Sequence, residues 1–287
     1  MQIAIGLPNP VPGVSGATML AWARQAEARG FAALTTIGRV AYPNYDSLIA
    51  LAAAAGATQR VELITDVLLG PTRDPVLLAK EAASLDQLSG GRFILGVGVG
   101  GREDDFTVTH QGFHDRGKRW DAALALMHRV WAGDPPPGTD KPISPTPVHN
   151  QRVPLLIGGQ SEAAVERTVR WGIGWTSGGG GPDRVAPMAQ RIHAAWQTAG
   201  REGSPRIVAL CYFALGPHAE DGGATYIRDY YGAAPWAGAL IAGMPRDAAA
   251  LRATVRAFAG SGTDLLTFVP TLGTLDQVDG LADAVLT

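Results

Sequence analysis

A chain of 287 residues, 46% hydrophobic and with a net charge of −2, has the size and apolar content for one large core. Its 24 basic and 26 acidic side chains give no basic field for a phosphodiester backbone, so nucleic-acid binding is set aside in favour of small-molecule partners. The single cysteine, Cys211, excludes an intrachain disulfide and any metal site built on two thiolates, and it fits a reducing compartment.

The first residues, Gln2-Ile3-Ala4-Ile5-Gly6, read as a strand and not as a basic and apolar leader. No apolar run is long enough to span a bilayer, so a cytoplasmic protein without membrane partners is expected. Strand-like runs follow at 3–7, 32–37, 61–68, 92–97, 153–157, 174–177, 207–215 and 264–269, and helix-like segments lie between them at 18–29, 45–57, 75–88, 118–131, 161–171, 183–199 and 245–259. Eight alternations with right-handed crossovers predict one α/β domain over residues 1–287, a (β/α)8 TIM barrel with extended loops at its C-terminal face. An open doubly wound sheet is the architecture that the count alone leaves standing beside it.

Two connections are long. Residues 133–152, with Pro135-Pro136-Pro137, Pro142, Pro145 and Pro147, read as an extended excursion forming part of a lid. Residues 216–244 carry Tyr226, Tyr230, Tyr231 and Trp236, which either line a substrate pocket or subunit contact, or pack a helix on the barrel.

The stretch from Asp74 to Phe106 is the most informative. Asp74-Pro75 caps a helix whose apolar residues Val76, Leu77, Leu78, Ala82, Leu85 and Leu88 recur at roughly helical spacing. Ser89-Gly90-Gly91 stops it, and Phe93-Ile94-Leu95-Gly96-Val97 follows as a strand apolar on both faces, of the kind found in parallel sheets. The strand ends in Gly98-Val99-Gly100-Gly101, where missing side chains admit a flat ligand to backbone amides. This combination, Asp74-Pro75-Val76-Leu77-Leu78-Ala79-Lys80, then Ser89-Gly90-Gly91-Arg92-Phe93, Leu95-Gly96-Val97-Gly98 and Phe106, resembles the bacterial luciferase-like monooxygenases. In weaker form the resemblance runs from Ile3 to about Val269. It implies a (β/α)8 barrel binding reduced FMN or the deazaflavin coenzyme F-420, a small organic substrate, and a homodimer built through the helices flanking strands two and three, where Ala50, Ala52 to Ala55 and Gly56 permit close approach.

In a barrel, ligands bind at the C-terminal strand ends. After strand five stand Gly158-Gly159-Gln160-Ser161, and after strand six Thr176-Ser177-Gly178-Gly179, two loops whose amides at helix starts suit one phosphate; the plainer reading is that these glycines only permit tight turns. The resemblance further implies that the ring rests against a strand-three bulge with a non-prolyl cis peptide, here at Asp66-Val67. Asp66, a carboxylate in an otherwise apolar strand end, then faces the barrel mouth as a ring or substrate partner, unless turn amides satisfy it. Gly6 and Thr36, at the ends of strands one and two, and Gly98 and Val99 complete the implied cofactor set.

Where some flavin-using relatives carry an arginine beyond strand four this chain has Val99, which leaves Arg102 or Arg184 as helpers to the amides. A glutamate and a histidine of some deazaflavin-using relatives are replaced by Gly101 and by Gly38-Arg39-Val40. No catalytic acid follows from the resemblance; Asp66 and His114 are the candidates. Asp115 and Arg116 read as a helix-start network and Arg39 as a solvated loop residue. His110 and His114 lack an HExxH context, so no metal is expected, and neither a GxSxG elbow nor a Walker sequence is present. None of Lys80, Lys118 and Lys141 lies on a predicted strand, which disfavours Schiff-base chemistry. The expected activity is oxygenation with FMN or hydride transfer with F-420; the alternative is a cofactor-poor barrel serving as a binding or structural subunit.

Overall fold

The computed structural model describes residues 1–149, 151–232 and 234–286. Nine parallel strand segments, β1 (Gln2–Gly6), β2 (Ala33–Thr36), β3 (Glu62–Thr65), β4 (Leu68–Leu69), β5 (Phe93–Gly98), β6 (Leu155–Gly158), β7 (Gly174–Thr176), β8 (Arg206–Phe213) and β9 (Leu265–Pro270), pair in the order β3-β2-β1-β9-β8-β7-β6-β5. Pairing of β3 with β5, Leu63 opposite Phe93 and Ile64 opposite Ile94, closes the ring and removes the open sheet from consideration. The barrel has eight staves because β4 continues β3 after a break at Asp66-Val67, with Leu68 opposite Val97 and Leu69 opposite Gly98.

Around it run α1 (Gly16–Arg29), α2 (Ser47–Ala57), α3 (Pro75–Ser89), α4 (Glu103–Val108), α5 (Arg116–Trp131), α6 (Glu162–Trp171), α7 (Pro182–Thr198), α8 (Ala219–Tyr231), α9 (Ala237–Gly243), α10 (Ala248–Ala259) and α11 (Asp276–Val285). Their starts follow side-chain capping: Asp46 accepts from the amides of Leu48 and Ile49, Asp74 from Val76 and Leu77, Ser161 from Ala164, and Asp247 from Ala250. The helix expected at 75–88 ends one residue later, where Gly90 takes the left-handed conformation and returns its N–H to Asp86 and Gln87.

Strand alternation sorts the apolar side chains into two layers. Ala4, Ala33, Ile64, Ile94, Leu156, Val208 and Leu265 fill the lower barrel interior, while Ile5, Leu34, Leu63, Leu95, Leu155 and Phe268 face the helices. Trp22, Trp120, Trp131 and Trp175 are fully buried.

The excursion at 133–152 does not form a lid. Its Val148 amide donates to Asp86 at 2.6 Å, Gln87 donates to the Thr146 carbonyl at 2.8 Å, and His149 lies against Gly91, all at the α3–β5 turn. That turn feeds the N-terminal ends of the strands, so this part of the excursion packs at the barrel's base. The excursion at 216–244 is largely helical, as α8 and α9, and sits at the other end. Tyr226, Ile227 and Tyr230 of α8 pack on Ile37, Leu210, Tyr212 and Val269, side chains of the upper strand ends, and roof that side of the mouth. No helix among the described residues is long and apolar enough to cross a membrane.

Arg92, within the Ser89-Gly90-Gly91-Arg92 turn, ties the base together. Its guanidinium donates to the carbonyls of Ser89, Val61, Ala55 and Thr58 and to the Thr58 hydroxyl, at 2.8 to 3.2 Å. The C-terminal carbonyls of α2 and the entry to β3 are thereby satisfied by one side chain. Lysine cannot reproduce this planar fork. R92K is expected to lower stability by about 1–3 kcal/mol in urea unfolding while leaving ligand binding at the opposite end of the barrel unchanged.

Candidate active site

The third stave breaks where an apolar strand runs into Asp66, and the peptide Asp66-Val67 is cis. Asp66 keeps its place in the ladder through its amide, which donates to the Thr36 carbonyl at 2.7 Å. Two residues beyond the inward-facing Ile64, its side chain enters the barrel interior, where it is 4% exposed. Across the lumen the Thr176 hydroxyl donates to Asp66 Oδ1 at 2.5 Å, and Asp66 Oδ2 is buried without a partner. Burial pushes the carboxyl up from its ordinary 3.8 to about 6, with the Thr176 hydrogen bond pulling the other way. The turn-amide explanation for Asp66 is therefore replaced by a cross-barrel hydrogen bond.

Val67 turns its methyls toward three glycines. A Cβ at Gly98 would stand 2.9 Å from Val67 Cγ2, one at Gly158 would stand 3.1 Å from Val67 Cγ1, and one at Gly96 would collide with the Thr65 carbonyl oxygen. The space expected to admit a ligand at Gly98 and Gly158 is thus partly filled by the protein's own bulge. Open space remains at Gly178, where a Cβ would meet nothing within 4 Å.

Above the bulge lies a cavity of about 330 Å³ lined by Asp66, Val67, Leu69, Gly98, Val99, Gly100, Gly158, Gly159, Gln160, Trp175, Thr176 and Gly178. Nine of the residues nominated from sequence meet there: Asp66, Val67, Gly98, Val99, Gly158, Gly159, Gln160, Thr176 and Gly178. The others do not. Gly6 is buried against Pro270 and Val269 of β9, Thr36 is buried on β2 outside the cavity lining, and the Ser177 amide is committed to the Val208 carbonyl at 2.9 Å. Gly179 lines a neighbouring apolar cavity of about 400 Å³ with Leu210, Tyr212, Leu240, Met244 and Phe258. His114 is exposed, its ring edge-on to Phe113, away from the cavity, so Asp66 alone of the two catalytic candidates reaches it.

The amide N–H groups of Gly159, Gln160, Gly178 and Gly179 enter no hydrogen bond among the described residues. The Trp175 indole, which sequence reasoning passed over, donates to the Gly159 carbonyl at 2.6 Å and links the loops after β6 and β7. Arg39, expected in solvent, instead pairs with Asp104, approaches Asp105 at 3.8 Å and donates to the Tyr230 carbonyl at 3.2 Å. Arg116 donates to the Gly100 carbonyl at 2.9 Å and Asp115 pairs with Arg119 at 3.0 Å, the helix-start network anticipated. Among the described residues no group of three or more His, Cys, Asp or Glu is placed to hold a metal ion.

A closed parallel barrel broken at its third stave, below a glycine-lined cavity, is the geometry that the resemblance implied, and the sequence profile of the luciferase-like monooxygenases matches residues 2–278. The chain belongs to the luciferase-like monooxygenase family. An uncharacterized Mycobacterium tuberculosis protein is 32% identical over 210 residues, 62% of this chain and 71% of that one. The luciferase-like fold is shared with an F420-dependent secondary alcohol dehydrogenase solved with an F420-acetone adduct (TM-score 0.80, 17% identity, covering 99% of this chain and 98% of that one). It is shared too with the oxygenating constituent of 3,6-diketocamphane monooxygenase of Pseudomonas putida in complex with FMN (TM-score 0.76, 16% identity, covering 98% and 96%). The named relatives of this luciferase-like chain also include a 4-hydroxyprotoasukamycin monooxygenase of Streptomyces nodosus, 38% identical over 86 residues, 30% of this chain and 23% of that one.

The raised Asp66 carboxyl has a consequence for stability. The folded chain holds this proton more tightly than the unfolded chain, so the penalty for ionising it is absent below pH 4 and develops as pH rises to about 6. A rise from 3.8 to about 6 corresponds to about 3 kcal/mol. In urea titrations of the cofactor-free protein, D66N is expected to gain about that much on the wild type between pH 4 and pH 7. A constant difference across this range would contradict the burial of an ionisable carboxyl at this position.

Proposed function

We propose that the chain is an oxidoreductase that binds reduced FMN or coenzyme F-420 in the cavity above the Asp66-Val67 bulge and acts on a small organic substrate. The observation that carries this reading is the unpaired, buried Asp66 Oδ2 at the deep end of a cavity otherwise walled by glycine backbone and apolar side chains.

The residues present fit such a cofactor. Val67, Leu69 and Val99 would hold a flat heteroaromatic ring, and Asp66, which near pH 6 accepts or donates according to its protonation, would be the partner of its polar edge. The free amides of Gly159, Gln160, Gly178 and Gly179 suit a phosphate at the outer end. When bound, reduced FMN supplies oxygen activation and F-420 supplies hydride transfer. The chain's own contribution is to orient the ring through Asp66, to close the β8–β9 side of the mouth with Tyr226 and Tyr230, and to keep bulk water from the reacting centre. The second reading, a barrel that binds without catalysing, draws on Asp66 being the only titratable side chain lining the cavity.

Fluorescence titration with FMN and F-420, each oxidised and reduced, separates the readings. Selective F-420 binding assigns hydride transfer, selective binding of reduced FMN assigns oxygen-dependent chemistry, and binding of neither at high micromolar concentration removes the enzyme reading. D66A, which removes the hydrogen-bonding group, is expected to weaken the bound cofactor by about tenfold, the worth of one buried hydrogen bond.

We further propose a homodimer through α2 and α3. Residues 47–57 carry no charge, and the outward face of the pair exposes Ile49 (68%), Ala53, Gly56 and Leu77 (55%), while Ala50, Ala54 and Ala55 are turned into the monomer core. I49E is expected to convert a dimer to a monomer in light scattering, with the circular dichroism of the fold retained.

A further inference from the structure

Resting on this reading of the cavity, we propose that Arg184 is the cationic group that closes its outer end on the cofactor phosphate. The cavity wall beyond β5 is Gly98, Val99 and Gly100 and carries no charge, so a cation for a phosphate comes from another element. Arg102 is committed elsewhere: its guanidinium lies over the rings of Tyr230 at 5.2 Å and Tyr231 at 5.1 Å. Arg116 is spent on the carbonyls of Gly100 and Phe113 and on the Phe113 ring, and Arg39 on Asp104 and Asp105.

Arg184 stands in the first turn of α7 and folds back over the glycine loop that precedes it, its Cδ 3.1 Å from where a Cβ of Gly180 would be. Its Nη2 donates to Gln160 Oε1 at 3.1 Å. Gln160 lines the cavity on the β6 side, and Gly178 lines it on the β7 side, so the guanidinium bridges the two loops whose amides are free. Among the described residues a neutral amide is the one hydrogen-bond partner of this charge, and Arg184 forms no ion pair. Glu162, the acid that begins α6, is itself taken by Arg191 at 2.7 Å.

The unpaired Asp66 Oδ2 marks the deep end of the same cavity independently, and the distance between the ends is spanned by apolar walls and glycine backbone. A ligand that answers both ends is flat and polar at one extremity and carries a phosphate at the other. Because Gln160 and Arg184 are exposed, the rim takes a terminal phosphate monoester or a phosphodiester whose chain continues into solvent.

The test compares ligands with and without the phosphate: FMN against riboflavin, and F-420 against its phosphate-free deazaflavin core, by fluorescence titration of wild type, R184Q, R184K and R102Q. R184Q is expected to weaken the phosphate-bearing member of the bound pair by about tenfold and to leave its phosphate-free partner unchanged. R184K should fall between wild type and R184Q, R102Q should not alter the ratio, and added salt should narrow the gap in wild type. Equal weakening of both members by R184Q, or of neither, overturns the role of Arg184 while the cofactor reading stands. Failure of the wild type to bind either pair overturns the reading and the proposal together.

Discussion

The packing of one broken stave into its neighbours governs the upper half of this barrel. The Thr65 carbonyl occupies the position a Cβ of Gly96 would take, and the Val67 methyls press on the corresponding positions of Gly98 and Gly158. These three conflicts are of two kinds. A valine methyl can give by a few tenths of an ångström, but a backbone carbonyl held in a ladder cannot, so Gly96 is the least replaceable of the three. The Thr65 hydroxyl, which donates to the Gly96 carbonyl at 2.7 Å, holds the two strands at this separation. With β3 and β5 so joined, Asp66 has no outward course and its carboxyl is carried into the lumen.

The lumen consequently changes character with height. Its lower layer is apolar throughout, from Ala4 to Leu265. One pleat higher, alternation brings Thr35, Asp66, Thr176 and Thr267 inward, and of their side-chain oxygens only the Thr176–Asp66 pair is joined; Thr35 Oγ1, Thr267 Oγ1 and Asp66 Oδ2 are buried without partners. A polar layer left partly unsatisfied above a dry floor costs stability in the protein alone, and it is the arrangement expected where ligand atoms or ordered water complete the hydrogen bonding. The raised carboxyl of Asp66 expresses the same cost in protons.

Much of this could be read from residue patterns because the underlying physics is local. Short apolar runs alternating with helix-like segments marked the eight staves, proline and aspartate at helix starts gave α3 its first residue, and a lone carboxylate in an apolar strand singled out Asp66. The failures share a cause, which is that they depend on contacts distant in sequence. Prolines at 135–147 announce extended backbone but not which end of the barrel it crosses. Arg92 is one residue of a turn motif until α2 supplies the carbonyls it serves. His114 sits in a polar cluster that reads like a site, yet its neighbours Asp115 and Arg116 spend their bonds on the loop itself and leave the ring outside.

The least legible feature, the clasp between three loops, also joins the two halves of the mouth. Asp105, fully buried, accepts from the amides of Val40 and Ala41 at 2.7 and 2.8 Å, and Arg39 reaches from there to Asp104 and to the Tyr230 carbonyl. Such a buried charge is tolerable only because amides and a guanidinium surround it, which makes the arrangement specific to one docking of α8. Arg102, stacked on Tyr230 and Tyr231, stands two residues beyond Gly100, itself part of the cavity wall. The roof over β8 and β9 is therefore anchored to the loop that shapes the cavity over β4 and β5. Through Arg39 and Arg102 the packing of α8 and the edge of the cavity thus share the same contacts.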